Sequence, residues 1–199
     1  MKTTALLLIM TTALAACGGG DDQEQVAGGS MVDTATAPAA TQPGAAGGTV
    51  TDPQIAAIVV AANEVDVAAG ELARSKATDP QVKQFAERMV TDHTGVNQQA
   101  TELVQRLGVT PEQNPTSQQL RQGGEQARSR LQGLTGAEFD RAYIEHEVAY
   151  HQQVLDAIDS TLIPNAQNPE LRALLEQVRP AIEAHLQLAQ QIQGSLGGS

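Results

Sequence analysis

Aromatic side chains are nearly missing from this chain: two tyrosines, two phenylalanines and no tryptophan among 199 residues. A core built without them has to come from Leu, Ile, Val, Ala and Met, a palette that suits helices better than sheets. Cysteine occurs once, at Cys17, which excludes a disulfide within the chain. Cations are scarce as well: 12 Lys and Arg stand against 23 Asp and Glu, for a formal net charge of -11. No Lys/Arg cluster offsets that excess, so nucleic acid is not an expected partner. No serine or cysteine nucleophile stands in a recognisable setting, and no glycine-rich loop joins a strand to a helix to cradle phosphate. No catalytic residue and no organic cofactor site is therefore assigned, and the reading leans away from an enzyme.

What is present begins at the N-terminus. Met1-Lys2 is followed by the apolar run Ala5-Leu6-Leu7-Leu8-Ile9-Met10 and by Leu14-Ala15-Ala16-Cys17. One positive charge, a short apolar stretch and small residues make a secretory signal over 1–16. The stretch is too short to span a bilayer about 30 Å thick. Leu14-Ala15-Ala16-Cys17 looks like a lipobox, which implies lipidation of Cys17 and anchoring to a membrane without spanning it. The residue after it is Gly18 rather than Asp, which points to the periplasmic face of the outer membrane rather than to the inner membrane. Residues 17–51 are Gly, Ala, Thr, Pro, Gln and Asp with almost nothing large and apolar, the composition of a disordered tether.

Folded structure is expected over 52–194, with a flexible tail at 195–199. Asp52-Pro53, Asp79-Pro80 and Asn168-Pro169 each pair a good N-cap with a proline at the first helical position. Each opens an apolar periodic run. Helices are expected at about 53–77, 80–107, 137–162 and 169–193, the second closed by Gly108 and the last by Gly194. A weaker segment at about 116–132, carrying Gly123-Gly124, reads as a short extra helix in the crossover. No window alternates like a strand. The expected fold is all-α: an antiparallel four-helix bundle with that short helix between helices 2 and 3.

Projected at about 100° per residue, each long helix shows an apolar stripe. Each stripe also carries an ionisable residue: Asp66 in the first, His93 in the second, Glu147 and His151 in the third, His185 in the fourth. Asp92 lies on the edge of the second stripe. Glu64, Glu71 and Glu183 fall on far sides, His146 points away as a solvated residue, and Tyr143 and Tyr150 read as packing residues. Measured from the turns, Asp66 and His93 stand at about one height and so do Glu147 and His185, at about 1.5 Å of rise per residue. A bundle would gather them into one layer. Buried charge is expensive unless paired or bound to a metal. His93, His151 and His185, with Asp66 and Glu147, are therefore candidate ligands for one divalent transition metal. The alternative is a satisfied polar layer that only fixes helix register, in a non-metal envelope protein acting through its surface in stress tolerance. An enzyme built on the same cluster would need an open coordination position and a substrate path. Pro180, inside the fourth helix, predicts a kink just over one turn before His185.

The pattern Asp66…Gly70-Glu71-Leu72-Ala73, Val82-Lys83…Phe85-Ala86…Met89-Val90…Asp92-His93-Thr94…Asn97, Gly136…Phe139-Asp140-Arg141-Ala142-Tyr143…His151 and Pro180…His185-Leu186…Ala189 resembles a bacterial family known only as a domain of unknown function in the ferritin-like group. The resemblance covers about 55–190 and implies a ferritin-like bundle, often in exported proteins or lipoproteins, without an activity. The sequence departs from di-iron carboxylate proteins, which place a Glu-x-x-His on each of two helices. Val90, Tyr143, Val148 and Ile182 stand three residues before the four histidines. Iron oxidation by a ferritin-type centre is not supported, and a His-rich mononuclear site is what remains.

Overall fold

Proline marks the start of four of the longer helices. In the computed structural model, which describes residues 49–197, these are α1 (Asp52–Lys76), α2 (Pro80–Leu107), α3 (Pro115–Gln132) and α6 (Pro169–Gly197). Between α3 and α6 lie α4 (Gly136–Ala157), a π-helical turn (Ile158–Leu162) and the short α5 (Ile163–Asn165). Among the described residues the chain is all-α. The signal segment, Cys17 and nearly all of the tether fall outside the described residues.

The caps explain most boundaries. Asp79 accepts hydrogen bonds from the amides of Gln81 and Val82 at 2.7 and 3.2 Å. Asn168 accepts from Glu170 and Leu171 at 2.9 and 3.2 Å. Gly108 closes α2 with φ of 65°, where a side chain would be strained. The first start differs from expectation. Thr51, not Asp52, is the N-cap, and its amide donates to Gln54 at 3.2 Å. Asp52 turns away and accepts from the amides of Gln167 and Asn168 at 2.8 and 2.9 Å. It holds the beginning of α6 instead of its own helix. The last helix also runs beyond Gly194 to Gly197. Ser195 donates to the Ile192 carbonyl at 2.7 Å, and Leu196 packs on the core, which together carry the helix past the glycine.

Two apolar clusters divide the core. One contains Ile55 and Ile58 of α1, Leu103 of α2, Leu155 of α4 and Leu171 and Leu175 of α6. The other contains Ala73 of α1, Phe85 and Met89 of α2, Phe139 and Tyr143 of α4 and Ile192 of α6. Chain direction follows from these lists. From the first cluster to the second, residue numbers rise in α1 and α6 and fall in α2 and α4. α1 is therefore antiparallel to α2, against which it packs, and α4 to α6.

α3 is more than a loop filler. It lies along α1 so closely that a Cβ on Gly124 would meet Val65 at 2.6 Å. Arg121 pairs with Glu64 across the same contact. Lys76 donates to the last carbonyl groups of α3, at Leu131 and Gln132, and Leu131 is fully buried.

The Phe139-Asp140-Arg141-Ala142-Tyr143 block has a structural explanation. Phe139 and Tyr143 stack in the core with ring centres 6.2 Å apart. Asp140 is buried and accepts from the Thr78 amide at 2.9 Å, the Thr78 hydroxyl at 2.5 Å and the Asp79 amide at 2.9 Å. It pins the α1–α2 turn to the start of α4. Asp140→Ala is expected to lower stability by about 2 kcal/mol, because three part-buried donors lose one shared acceptor. Urea denaturation measures this, and a loss below about 0.5 kcal/mol, the level of an ordinary surface change, would show the pin to be dispensable.

Candidate metal centre

Between the two apolar clusters, the four long helices place their inward ionisable groups together. Asp66, His93, Glu147, His151 and His185 are all buried, none more than 4% exposed. The three imidazoles form a near-equilateral triangle: ring centres lie 5.6 Å apart for His93–His151, 5.4 Å for His93–His185 and 5.5 Å for His151–His185. Asp66 lies against two of them. Its Oδ2 is 3.3 Å from His93 Nε2 and 3.5 Å from His151 Nε2.

Each imidazole is held by one nitrogen. His93 Nδ1 is 2.9 Å from Asn63 Oδ1, and Asn63 in turn donates to the Val59 carbonyl at 2.7 Å. With that carboxamide oxygen as acceptor, Nδ1 carries the proton. His151 Nδ1 donates to the Glu147 carbonyl at 3.0 Å and also faces Glu147 Oε2 at 3.3 Å. His185 Nε2 is 2.9 Å from Asp92 Oδ2, a carboxylate that is 45% exposed. The other nitrogen of each ring has no hydrogen-bond partner among the described residues: His93 Nε2, His151 Nε2 and His185 Nδ1. Both oxygens of Asp66 are likewise without one, while the Tyr143 hydroxyl and the Glu147 carboxyl partner each other. Buried polar atoms are nearly always bonded, so these atoms are free to serve as ligands.

Ligand geometry is close to what an ion requires. His93, His151 and His185 can offer nitrogens all within 4.8 Å of one another, and Asp66, Glu147 and His151 form a second such group. Tetrahedral ligands about 2.1 Å from an ion lie about 3.4 Å apart, so small side-chain rotations close the site. Two of the outer partners, a carboxylate and a backbone carbonyl, match those that orient metal-bound histidines, and the third is the carboxamide oxygen of Asn63.

Electrostatics point the same way. Burial holds Asp66 well above the usual carboxylate range, and the neighbouring Glu147 adds to the effect. Glu147 is pushed up to about 8, chiefly by burial. Burial and the other imidazoles hold His93 well below the ordinary histidine value, and burial lowers His185. Without a central cation burial favours the neutral acid at Asp66 and Glu147 and the neutral imidazole at His93 and His185.

Sequence reasoning missed two residues here. Asn63 stands three positions before Asp66, on the same face of α1, and was open to notice as a polar residue next to the apolar stripe. Asp92 was placed on the stripe's edge without a partner. His146 is a correction: it is half-buried rather than solvated, its ring 5.6 Å from Tyr150. Burial and the nearby Arg130 pull it down to about 4. Helix α3 covers it, and the weak apolar pattern of α3 hid that cover. It is not part of the cluster.

Fold and site thus define an all-α domain with a buried three-histidine, carboxylate-bearing cluster at the meeting of four helices. The chain belongs to the family described as a domain of unknown function, DUF4142, which matches residues 35–192. No curated protein and no solved structure matches it.

Proposed function

We propose that this chain is an extracytoplasmic lipoprotein, anchored through Cys17, whose ferritin-like four-helix bundle holds one divalent transition ion. Its ligands are His93 Nε2, His151 Nε2, His185 Nδ1 and Asp66, with Glu147 beside His151 and Asp66 as a further carboxylate. The observation that carries this reading is the division of labour in each imidazole: one nitrogen positioned by a partner, the other turned unpartnered toward its neighbours. An imidazole-rich set with one carboxylate suits zinc or iron(II) better than calcium or magnesium. The missing Glu-x-x-His pairs favour one ion over a di-iron pair. Cys17 as sole cysteine, the apolar stretch before it and the tether composition support export and anchoring to the periplasmic face of the outer membrane. No described helix is long and apolar enough to cross a membrane.

Elemental analysis tests the ion. The full chain, dialysed against Zn2+ and then freed of excess, is expected to retain near-stoichiometric zinc. The variant carrying His93→Ala, His151→Ala and His185→Ala is expected to retain none above background. Equal zinc in the two proteins would refute the site.

A further inference from the structure

A cavity of about 80 Å3 meets the cluster on one side. Asn63, Asp66, His93 and His151 form its polar end, while Ile58, Val59, Val96, Val154, Ile158 and Ile182 make most of the remaining wall apolar. Two backbone irregularities flank this space. The π-helical turn supplies Ile158 and Leu162 to the wall, and π turns inside helices often mark functional sites. Pro180 sits between Val178 and Ile182, which also line the cavity, and it cannot donate to the Glu176 carbonyl. One helix that closes this side therefore leaves α geometry where the space lies, and the other lacks a backbone hydrogen bond there.

The wall chemistry selects the occupant. A buried water requires two to four polar partners, and beyond the cluster end the wall offers little for it. An ion would meet apolar surface. The cavity is also roughly half the ~150 Å3 of an engineered apolar cavity that takes benzene or xenon, so an aromatic ring is too large. Thr116, Leu120, Tyr150 and Gln153 line both this cavity and an open groove between α3 and α4, so only these side chains part the two spaces.

We propose that the cavity is a binding site for a diatomic gas of the dioxygen class, admitted between α3 and α4 and presented to the face of the cluster formed by Asp66, His93 and His151. The presentation to an ion rests on the metal reading above; the gas site itself does not.

Xenon and nitric oxide test the two parts separately. Crystals of the metal-free full chain under xenon pressure are expected to show xenon among Ile58, Val154 and Ile182. Ala62→Leu, or Ala157→Leu where the first fails to fold, fills the space and is expected to abolish it. Absence of xenon in the parent, or a site elsewhere, overturns the cavity proposal. The chain loaded with iron(II) and exposed to nitric oxide is expected to give the iron–nitrosyl electron paramagnetic resonance signal. The filled variant, shown by elemental analysis to hold the same iron, is expected to lose that signal. An undiminished signal in the filled variant overturns delivery through the cavity. Iron that does not bind the parent overturns delivery to an iron centre, while the zinc test of the metal reading and the xenon result each stand alone.

Discussion

Zinc added to the metal-free chain is expected to raise its melting temperature by about 8–16 °C at a free ion concentration about 1,000 times the dissociation constant. The estimate combines about 4 kcal/mol of linkage stabilisation with 2–4 °C per kcal/mol for a domain of this size. EDTA should reverse the shift, and the triple histidine variant should not show it. A pH dependence accompanies it. The titratable groups facing the site are Asp66 on α1, Asp92 and His93 on α2, Tyr143, Glu147, Tyr150 and His151 on α4, and His185 on α6. Asp66 and Glu147 are raised, so their contribution is complete below ordinary carboxylate values and is lost as pH rises, for Glu147 up to about 8. His93 and His185 are lowered, so their contribution is complete above about 6.5 and is lost as pH falls. Tyr143 and Tyr150 are raised and stay protonated throughout. Between about 6.5 and 8 Glu147 should lower metal-free stability by about 1 kcal/mol per pH unit, with Asp66 acting in the same direction. An ion requires deprotonated ligands, so the zinc-induced shift should widen over the same interval. Calorimetry at the two pH values measures both trends. A zinc shift equally large in the triple variant would place the ion elsewhere.

Asp66→Asn should separate binding from folding. The Asp66 carboxyl is buried and neither oxygen has a hydrogen-bond partner among the described residues. The substitution keeps its shape, removes the charge and supplies an amide that can donate to the unpartnered nitrogen of His93 or His151. Metal-free stability at pH 8 is expected to hold or to rise, because the amide is neutral without taking up a proton whereas the raised Asp66 carboxyl must be protonated to be buried. Zinc affinity is expected to drop by more than about 100-fold, beyond the 10–100-fold typical of losing an outer partner. Denaturation and zinc competition titration give the two numbers. A carboxylate that merely sets helix register would behave the other way, losing stability without a change in affinity.

Much of this arrangement follows from local sequence. Asp79-Pro80 and Asn168-Pro169 fix helix starts because their partners lie two and three residues ahead. The level of the cluster was readable because rise per residue is constant and the tight turn between α1 and α2 sets one origin for counting. Where partners are remote, local reading fails. Asp52 looked like its own helix's cap, yet its acceptors serve Gln167 and Asn168. His146 looked solvated because α3 has few apolar residues, whereas α3 is held by a glycine contact at Val65, an ion pair and a lysine on its last carbonyl groups. Asn63 gained its role only through the side-chain geometry of His93. The π-helical turn at Ile158–Leu162 has no proline or glycine to announce it.

Asp52 also ties together distant parts of the sequence. It stands at the entry of the chain into the fold and accepts from amides 115 and 116 positions later. Trimming from the front as far as this aspartate would therefore loosen the last helix, the one bearing His185, before disturbing its own. The first turn of the folded region thus bears on the helix that carries His185.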